Sequence, residues 1–294
     1  MSNNIQGVLT AIVTTFDRDG AYNPAAQREQ IRRQLSAGNG IFCGGTNGEF
    51  FVLNEQEKLA VTETCVDEVN GTAPVVAHIG EISTRDTIRL GRQVAKLGVD
   101  AVSVITPYFV PLKQEELIDH YRAVADAIDV PLFLYNIPAR TGNTLLPETV
   151  RTLAAHPNII GIKDSAGSYE SLSGFLQAAA GIAHFNVLNG PDSLIHQGFV
   201  DGCSACISGL ANVAPKEINA IWARFHAGDI AGSRAAQENV TGLRTDLYSI
   251  GFSPAAVKKA VALLGYEVGD SRYAVRFSAA EEQKIRQIVN QYLQ

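Results

Sequence analysis

The sequence predicts an α/β fold, a (β/α)8 TIM barrel with a C-terminal helical extension. Eight short runs rich in apolar and β-branched residues alternate with helical patterns, and after the eighth run only helical patterns follow. Several of the runs, such as residues 74–77 and 131–134, are apolar at every position, which is typical of parallel strands covered by helices on both faces. Strict alternation with right-handed crossovers winds such strands one way, and eight units close into a barrel.

The predicted strands are, in chain order, residues 8–15, 41–43, 74–79, 101–105, 131–135, 159–163, 185–188 and 202–208. Asn54 and Ser83 each precede an acidic residue by three positions, as in a helix capping box. Residues 114–128 carry apolar side chains at helical spacing. A doubly wound open sheet is the alternative fold, but residues 38–43 lack the third glycine of a dinucleotide-binding turn.

Four helices are predicted after the last strand, at residues 214–227, 230–247, 254–264 and 279–293. The first of them completes the eighth unit of the barrel. We therefore expect a catalytic barrel over residues 1–227 and a helical region over residues 228–294 that packs on it.

Composition excludes several classes of function. The 294 residues are 46% hydrophobic and 18% charged, with a net charge of −6. No basic stripe is present for nucleic acid, and no apolar run reaches the roughly 18 residues of a membrane span. The first residues lack a secretory pattern, and four cysteines in so long a chain fit a reduced compartment. These features predict a cytoplasmic protein without nucleic-acid or membrane partners.

The sequence contains no motif for metal binding, nucleotide binding or serine-hydrolase catalysis. Cys203 and Cys206 have C-x-x-C spacing, but on the predicted strand they would face opposite sides and could not share a metal. Cys43 and Cys65 stand isolated in the sequence. The histidines show no metal-ligand spacing, and no phosphate-binding loop or G-x-S-x-G turn is present. We expect no metal.

Two residues end neighbouring strands where a barrel places its active groups. Lys163 closes the sixth predicted strand, so its amine would project among apolar walls at the barrel mouth, as an amine nucleophile requires. Tyr135 closes the fifth strand, and its phenol could exchange protons with a substrate held at that amine. A solvated lysine and a core tyrosine are the alternative interpretations.

Two loops add candidate binding groups for an anion. Arg140 follows the fifth strand and could fork onto a carboxylate, although it could equally be a surface charge. Residues 44–49, with Thr46 and Asn47, follow the second strand with glycines that expose backbone N–H groups, although such a loop can be only a turn.

Together these places resemble the dihydrodipicolinate synthase and N-acetylneuraminate lyase family of Schiff-base, pyruvate-handling lyases. The resemblance covers nearly the whole chain, and its most specific motifs are residues 45–49, 135–138 and 161–164. It implies a homotetramer without a cofactor. It also implies that Lys163 forms an imine with pyruvate and that Tyr135 transfers protons. Thr46 and Asn47 would together bind the carboxylate of pyruvate, and Thr46 is also expected to be catalytic. Ile207 would place its backbone carbonyl near the imine.

Within the family the second substrate stays open. Arg140 resembles the arginine by which the synthases bind aspartate semialdehyde, but Asn47 stands where they usually have a second threonine. Phe109 stands where they place a proton-relaying tyrosine that reaches a neighbouring subunit, and Tyr108 beside it would serve only if the loop were shifted. Asp192 resembles the lyase aspartate that contacts sugar hydroxyls, where Ser208 could join it, or else it caps the following helix.

The sequence therefore predicts a lyase that makes or cleaves a 2-oxo acid, with a 2-keto-3-deoxy sugar acid or 4-hydroxy-2-oxo acid as the expected substrate. Dihydrodipicolinate synthase activity, keto-deoxy acid dehydration and a non-catalytic 2-oxo acid sensor are the alternatives. The expected partners are small molecules only, apart from further copies of the chain.

Overall fold

The computed structural model describes residues 5–293, and eight of its strands are hydrogen-bonded in chain order around a closed barrel. The first strand pairs in parallel with the second, and every neighbouring pair from the third strand to the eighth is parallel as well. This confirms the predicted TIM barrel. The strands are β1 (Gly7–Ala11), β2 (Gly40–Cys43), β3 (Val75–His78), β4 (Ala101–Ile105), β5 (Leu132–Asn136), β6 (Ile159–Asp164), β7 (Asn186–Asn189) and β8 (Ala205–Ser208).

The strand positions agree with the predicted runs to within one residue, except at two ends. β1 stops at Ala11, four residues before the predicted end, and the buried residues that follow it belong to no strand. β8 begins at Ala205, so the predicted start at residue 202 is wrong, and Cys203 precedes the strand. Every residue of β1 to β6 is buried, as expected for strands covered on both faces.

At least one helix follows each strand. The helices of the α/β repeat are α1 (Pro24–Ser36), α2 (Glu55–Val69), α3 (Thr84–Val94), α4 (Gln114–Ala127), α5 (Pro138–Thr141), α6 (Pro147–Leu153), α7 (Tyr169–Ala179), α8 (Ile195–Val200) and α9 (Pro215–His226). Asn54 and Glu57 form the predicted reciprocal capping box of α2. Ser83 caps α3 by accepting from the Asp86 N–H, while its hydroxyl donates to the Asp86 carboxylate.

Three further helices confirm the predicted C-terminal extension: α10 (Ile230–Tyr248), α11 (Ser253–Leu263) and α12 (Ala279–Tyr292). The chain divides into two compact units. The central unit comprises the described residues up to Gly7 together with Pro74–Ile207, and the terminal unit comprises Val8–Ala73 and the described residues from Ser208 onward. In the terminal unit, α10 packs on α9 and α12. The domain boundary expected near residue 227 stays a prediction.

No helix within residues 5–293 is long and apolar enough to cross a membrane.

Candidate active site

Lys163 and Tyr135 lie side by side at the ends of two neighbouring strands of the central unit. β5 and β6 pair in parallel, and Tyr135 is the register partner of Lys163. The Lys163 Nζ atom lies 4.0 Å from the centroid of the Tyr135 ring. Only 4% of Lys163 and 2% of Tyr135 is exposed. The amine is therefore held against the face of the phenol ring, where a cation and an aromatic ring attract each other.

The next residue of each strand locks these two positions together. Asn136 follows Tyr135 and Asp164 follows Lys163, and the Asn136 amide donates to the Asp164 carboxylate over 2.8 Å. The Asn136 amide oxygen also accepts from the Leu145 N–H. Burial raises the pKa of Asp164, and the hydrogen bond from Asn136 opposes that shift. The bond fixes the ends of β5 and β6 relative to each other, and with them the separation of amine and phenol.

His78 is a member of this cluster that sequence reasoning missed. It ends β3, is 4% exposed, and meets the Tyr135 ring edge to face with centroids 5.9 Å apart. A Cβ atom on Gly80 would lie 2.9 Å from the His78 ring, so a glycine is needed there. The one signal in the sequence was a histidine at the end of an otherwise apolar strand, and a histidine in that position occurs as often in an ordinary core as in an active site.

The loop after β4 presents Phe109 outward and Tyr108 inward. Phe109 is 90% exposed and has φ of 77°, a left-handed conformation unusual for a residue with a bulky side chain. Tyr108 is half-buried, and burial together with the Glu81 carboxylate, to which its hydroxyl donates, raises its pKa to about 12. The Tyr108 phenol is thus engaged with Glu81, and at neutral pH it stays protonated.

Arg140 is exposed on the four-residue helix α5, directly after β5. Its loop is tied to the Phe109 loop, since the Asn143 amide donates to the carbonyls of Pro107 and Val110. Thr106 and Thr141 join the two loops through a 2.9 Å hydroxyl hydrogen bond. The exposed Arg140 side chain is therefore carried on a well-braced segment.

Asp192 and Ile207 are both buried at the ends of the last strands of the central unit. Asp192 is 5% exposed and opens a single 3₁₀ turn after β7, whose capping position is held by Pro191. Helix α8 begins at Ile195 without a side-chain cap. The alternative interpretation of Asp192 as a helix cap is therefore wrong. Ile207 lies in β8 and is 2% exposed.

Thr46, Asn47 and Ser208 belong to the terminal unit. Thr46 and Asn47 are half-buried on a tight loop after β2, in which the Thr46 carbonyl accepts from the Glu49 N–H over 3.2 Å. Asn47 packs against Gly209, where a Cβ atom would lie 2.8 Å from its amide nitrogen. The Ser208 hydroxyl accepts from the Ala211 N–H, so it also caps the turn that follows β8.

The cysteines differ from expectation in one respect. Cys43 and Cys65 are isolated in the sequence, but the structure places their buried thiols in hydrogen-bonding contact. That contact lowers the pKa of Cys43, whereas the same contact and burial raise the pKa of Cys65. Within the described part of the chain, no group of three His, Cys, Asp or Glu side chains could hold a metal ion.

A sequence model of the dihydrodipicolinate synthetase family matches residues 4–292. The chain belongs to this family. Its members are lyases, and its solved structures have the same barrel with C-terminal helices. The resemblance drawn from residues 45–49, 135–138 and 161–164 is thus confirmed at the level of the family.

Individual relatives bear different names. An uncharacterised DapA-like lyase of Halobacterium salinarum is 37% identical over 273 residues, which cover 92% of this chain and 88% of the relative. The 4-hydroxy-tetrahydrodipicolinate synthase of Trichlorobacter lovleyi is 35% identical over 289 residues, or 98% of each chain. The structure of YagE, a prophage protein of the family from E. coli K12 in complex with pyruvate, is 28% identical with a TM-score of 0.93 over 98% of each chain.

Proposed function

We propose that the protein is a class I lyase that makes or cleaves a 2-oxo acid through an imine on Lys163. One observation carries this proposal: a buried lysine amine lies 4.0 Å from the ring of a buried tyrosine at the ends of adjacent barrel strands. A lysine shielded from water in a family of lyases is suited to attack a carbonyl. The pyruvate bound in the structure of YagE supports pyruvate as the 2-oxo acid.

The chemistry follows from the imine. The Lys163 amine adds to the 2-oxo carbon and water leaves, which gives an iminium cation. That cation accepts an electron pair when a proton leaves C3, so an enamine forms without a metal. The enamine carbon then adds to an aldehyde, or in the reverse direction the C–C bond breaks to regenerate it. Tyr135 supplies and removes the protons.

Binding of the 2-oxo acid is assigned to small polar groups. Thr46 and Asn47 bind the carboxylate through a hydroxyl and backbone N–H groups, and the Ile207 carbonyl faces the imine nitrogen. These roles, like the tetrameric assembly and the cytoplasmic location, stay predictions.

The proposed second substrate is a hydroxylated aldehyde, which gives a 2-keto-3-deoxy sugar acid or a 4-hydroxy-2-oxo acid. Asp192, buried and not used as a helix cap, supports this choice because a carboxylate is a natural acceptor for sugar hydroxyls. Ser208 is proposed to assist it. Phe109 has no proton to relay, which weighs against the synthase reaction.

A synthase that condenses pyruvate with aspartate semialdehyde is the second candidate. The exposed position of Arg140 on its braced loop favours it, because a guanidinium group can bind a carboxylate through two parallel hydrogen bonds. The name of the Trichlorobacter lovleyi relative points the same way.

Borohydride trapping tests the imine. The protein is incubated with pyruvate, reduced and digested, and we expect a reduced pyruvate adduct on the peptide that contains Lys163. Lys163→Ala should abolish the adduct, whereas Lys216→Ala, a change at an exposed lysine of α9, should leave it unchanged. Absence of any adduct on Lys163 would refute the proposal.

Turnover with two aldehyde classes separates the candidates. Pyruvate is offered with short hydroxyaldehydes and, separately, with aspartate semialdehyde. We expect faster turnover with the hydroxyaldehydes and a raised KM for them in Asp192→Asn. Turnover of the semialdehyde alone, lost in Arg140→Ala, would establish the synthase instead.

A further inference from the structure

A buried ion pair joins the end of the Thr46–Asn47 loop to the C-terminal helical extension. The Lys258 Nζ atom on α11 donates to the Glu49 carboxylate over 2.7 Å, and the two side chains are 2% and 1% exposed. These residues are 209 positions apart in the sequence but belong to the same compact unit. Removing two charges from water costs several kcal/mol per ion. A pair so deeply buried adds little net stability, and its use is to define one arrangement of the chain.

Both oxygens of the Glu49 carboxylate are held from the C-terminal side. The second oxygen accepts from the Arg272 backbone N–H over 3.0 Å. The Arg272 guanidinium in turn donates hydrogen bonds to the Glu57 carboxylate over 2.6 Å and to the Gly20 carbonyl over 2.7 Å. The Phe16 ring lies 3.9 Å from the Lys258 ammonium and 4.1 Å from the Arg272 guanidinium. Each oxygen of the Glu49 carboxylate therefore accepts a hydrogen bond from a residue of the C-terminal extension.

These hydrogen bonds hold a residue whose backbone is strained. Glu49 has φ of 58°, in the left-handed region that residues other than glycine seldom occupy. Such a conformation persists only where the surrounding structure enforces it. The Glu49 N–H donates to the Thr46 carbonyl and so closes the turn that carries the Thr46 and Asn47 backbone N–H groups.

We propose that Lys258 is a positioning residue, which holds the Thr46–Asn47 turn through Glu49 in the shape that binds the carboxylate of the 2-oxo acid. This role rests on the proposed function, because it assigns the carboxylate to that turn. It gives the C-terminal extension a part in substrate binding without any contact to the substrate.

The charge of Lys258 gives the proposal a pH signature. Burial lowers the pKa of Lys258 to about 8, while the facing Glu49 carboxylate and Asp270 raise it and Arg272 lowers it further. Above about pH 8 the Lys258 ammonium loses a proton, and the ion pair becomes a hydrogen bond from a neutral amine to the Glu49 carboxylate. The affinity for pyruvate should weaken there in the wild type, and this part of the pH dependence should be missing in a Lys258→Met protein.

The test measures the pyruvate concentration that gives half-maximal borohydride trapping of Lys163. In Lys258→Met we expect this concentration to rise about tenfold, as for the loss of a charged hydrogen bond, with maximal trapping at saturation unchanged. Lys258→Arg should restore part of the affinity. Lys259→Met is the matched control, since Lys259 is the next residue of α11 but forms its ion pairs with the outer Asp270 and Glu282. It should behave as the wild type.

Amide hydrogen exchange of the peptide that covers residues 44–52 provides a readout without substrate. We expect exchange about tenfold faster in Lys258→Met than in Lys259→Met, because the turn loses its anchor. If Lys258→Met fails to fold, Glu49→Gln removes the charge while keeping the shape and should show the same two changes. A folded Lys258→Met protein with unchanged half-saturation overturns the proposal. If the wild type is not trapped at all, the proposed function fails, and the exchange rates still decide whether Lys258 holds the turn.

Discussion

Replacing Tyr135 with phenylalanine removes one oxygen atom beside the Lys163 amine and leaves the rest of the side chain in place. The ring that lies 4.0 Å from Lys163 Nζ and packs edge to face on His78 is retained. The contact between cation and ring therefore persists, and we expect Lys163 to keep its position. What disappears is the proposed proton carrier.

The expected loss is confined to the chemical steps. A positioned general acid or base contributes roughly 10²–10⁴-fold to a rate, which corresponds to about 3–5 kcal/mol of activation free energy. Tyr135→Phe should lower kcat by about this factor while changing the free energy of unfolding by less than about 1 kcal/mol. Borohydride should still trap pyruvate on Lys163, but the adduct should form more slowly.

Tyr121→Phe is the matched control for this change. Tyr121 is also a fully buried tyrosine of the central unit, and its hydroxyl donates to the Val104 carbonyl over 3.1 Å. Its loss should cost about 1 kcal/mol of stability and leave kcat within about twofold of the wild type. Steady-state turnover and the rate of single-turnover trapping measure both variants. A folded Tyr135→Phe protein with kcat within about twofold of the wild type would refute the assignment of proton transfer to Tyr135.

Three further changes have expected outcomes. Burial lowers the pKa of Lys258 to about 8 from 10.5, so between these pH values the unfolded chain binds more protons than the folded protein. The contribution of Lys258 to the free energy of unfolding therefore rises with pH across that window, by on the order of 3 kcal/mol. Urea denaturation between pH 7 and about 10 should show this rise in the wild type but not in Lys258→Met. Gly161→Ala places a methyl group against the Asn186 carbonyl oxygen, so calorimetry should show a free energy of unfolding lower by about 1–3 kcal/mol, or no folding at all. An unchanged Tm would contradict the close packing at this position. Asn136→Ala removes the 2.8 Å hydrogen bond to Asp164, so the free energy of unfolding should fall by about 1–3 kcal/mol and kcat should fall too. A loss of stability with unchanged kcat would show that this hydrogen bond does not position Lys163.

The barrel could be read from the sequence because parallel strands covered on both faces are apolar at every position. This pattern located all eight strands, and chain order then made β5 and β6 neighbours. The pairing of Lys163 with Tyr135 follows from that adjacency and from the place of each residue at the end of its strand. Local composition did not mark two of the strand ends, since residues 12–15 and 202–204 are as apolar or small as the strands themselves but lie outside β1 and β8.

Other parts of the site depend on contacts that leave no local pattern. His78 meets Tyr135 across an intervening strand, and Cys43 meets Cys65 between a strand and a helix. Neither contact has a fixed sequence spacing, because it arises from the curvature of the sheet and the packing of the helix on it. The engagement of Tyr108 with Glu81, rather than with solvent, belongs to the same class.

The sequence by itself determined the fold class, the family and the two residues of the proposed imine chemistry, since each of these is written in short-range periodicity or in a compact motif. Only the tertiary structure decided how the Thr46–Asn47 turn is held, because its anchor lies 209 residues away, from Glu49 to Lys258. A charge is tolerated at Lys258 only because folding brings a second charge within 2.7 Å of it. The sequence of α11 holds Lys258 and Lys259 side by side, and folding alone specifies that Lys258 is the one buried against a carboxylate.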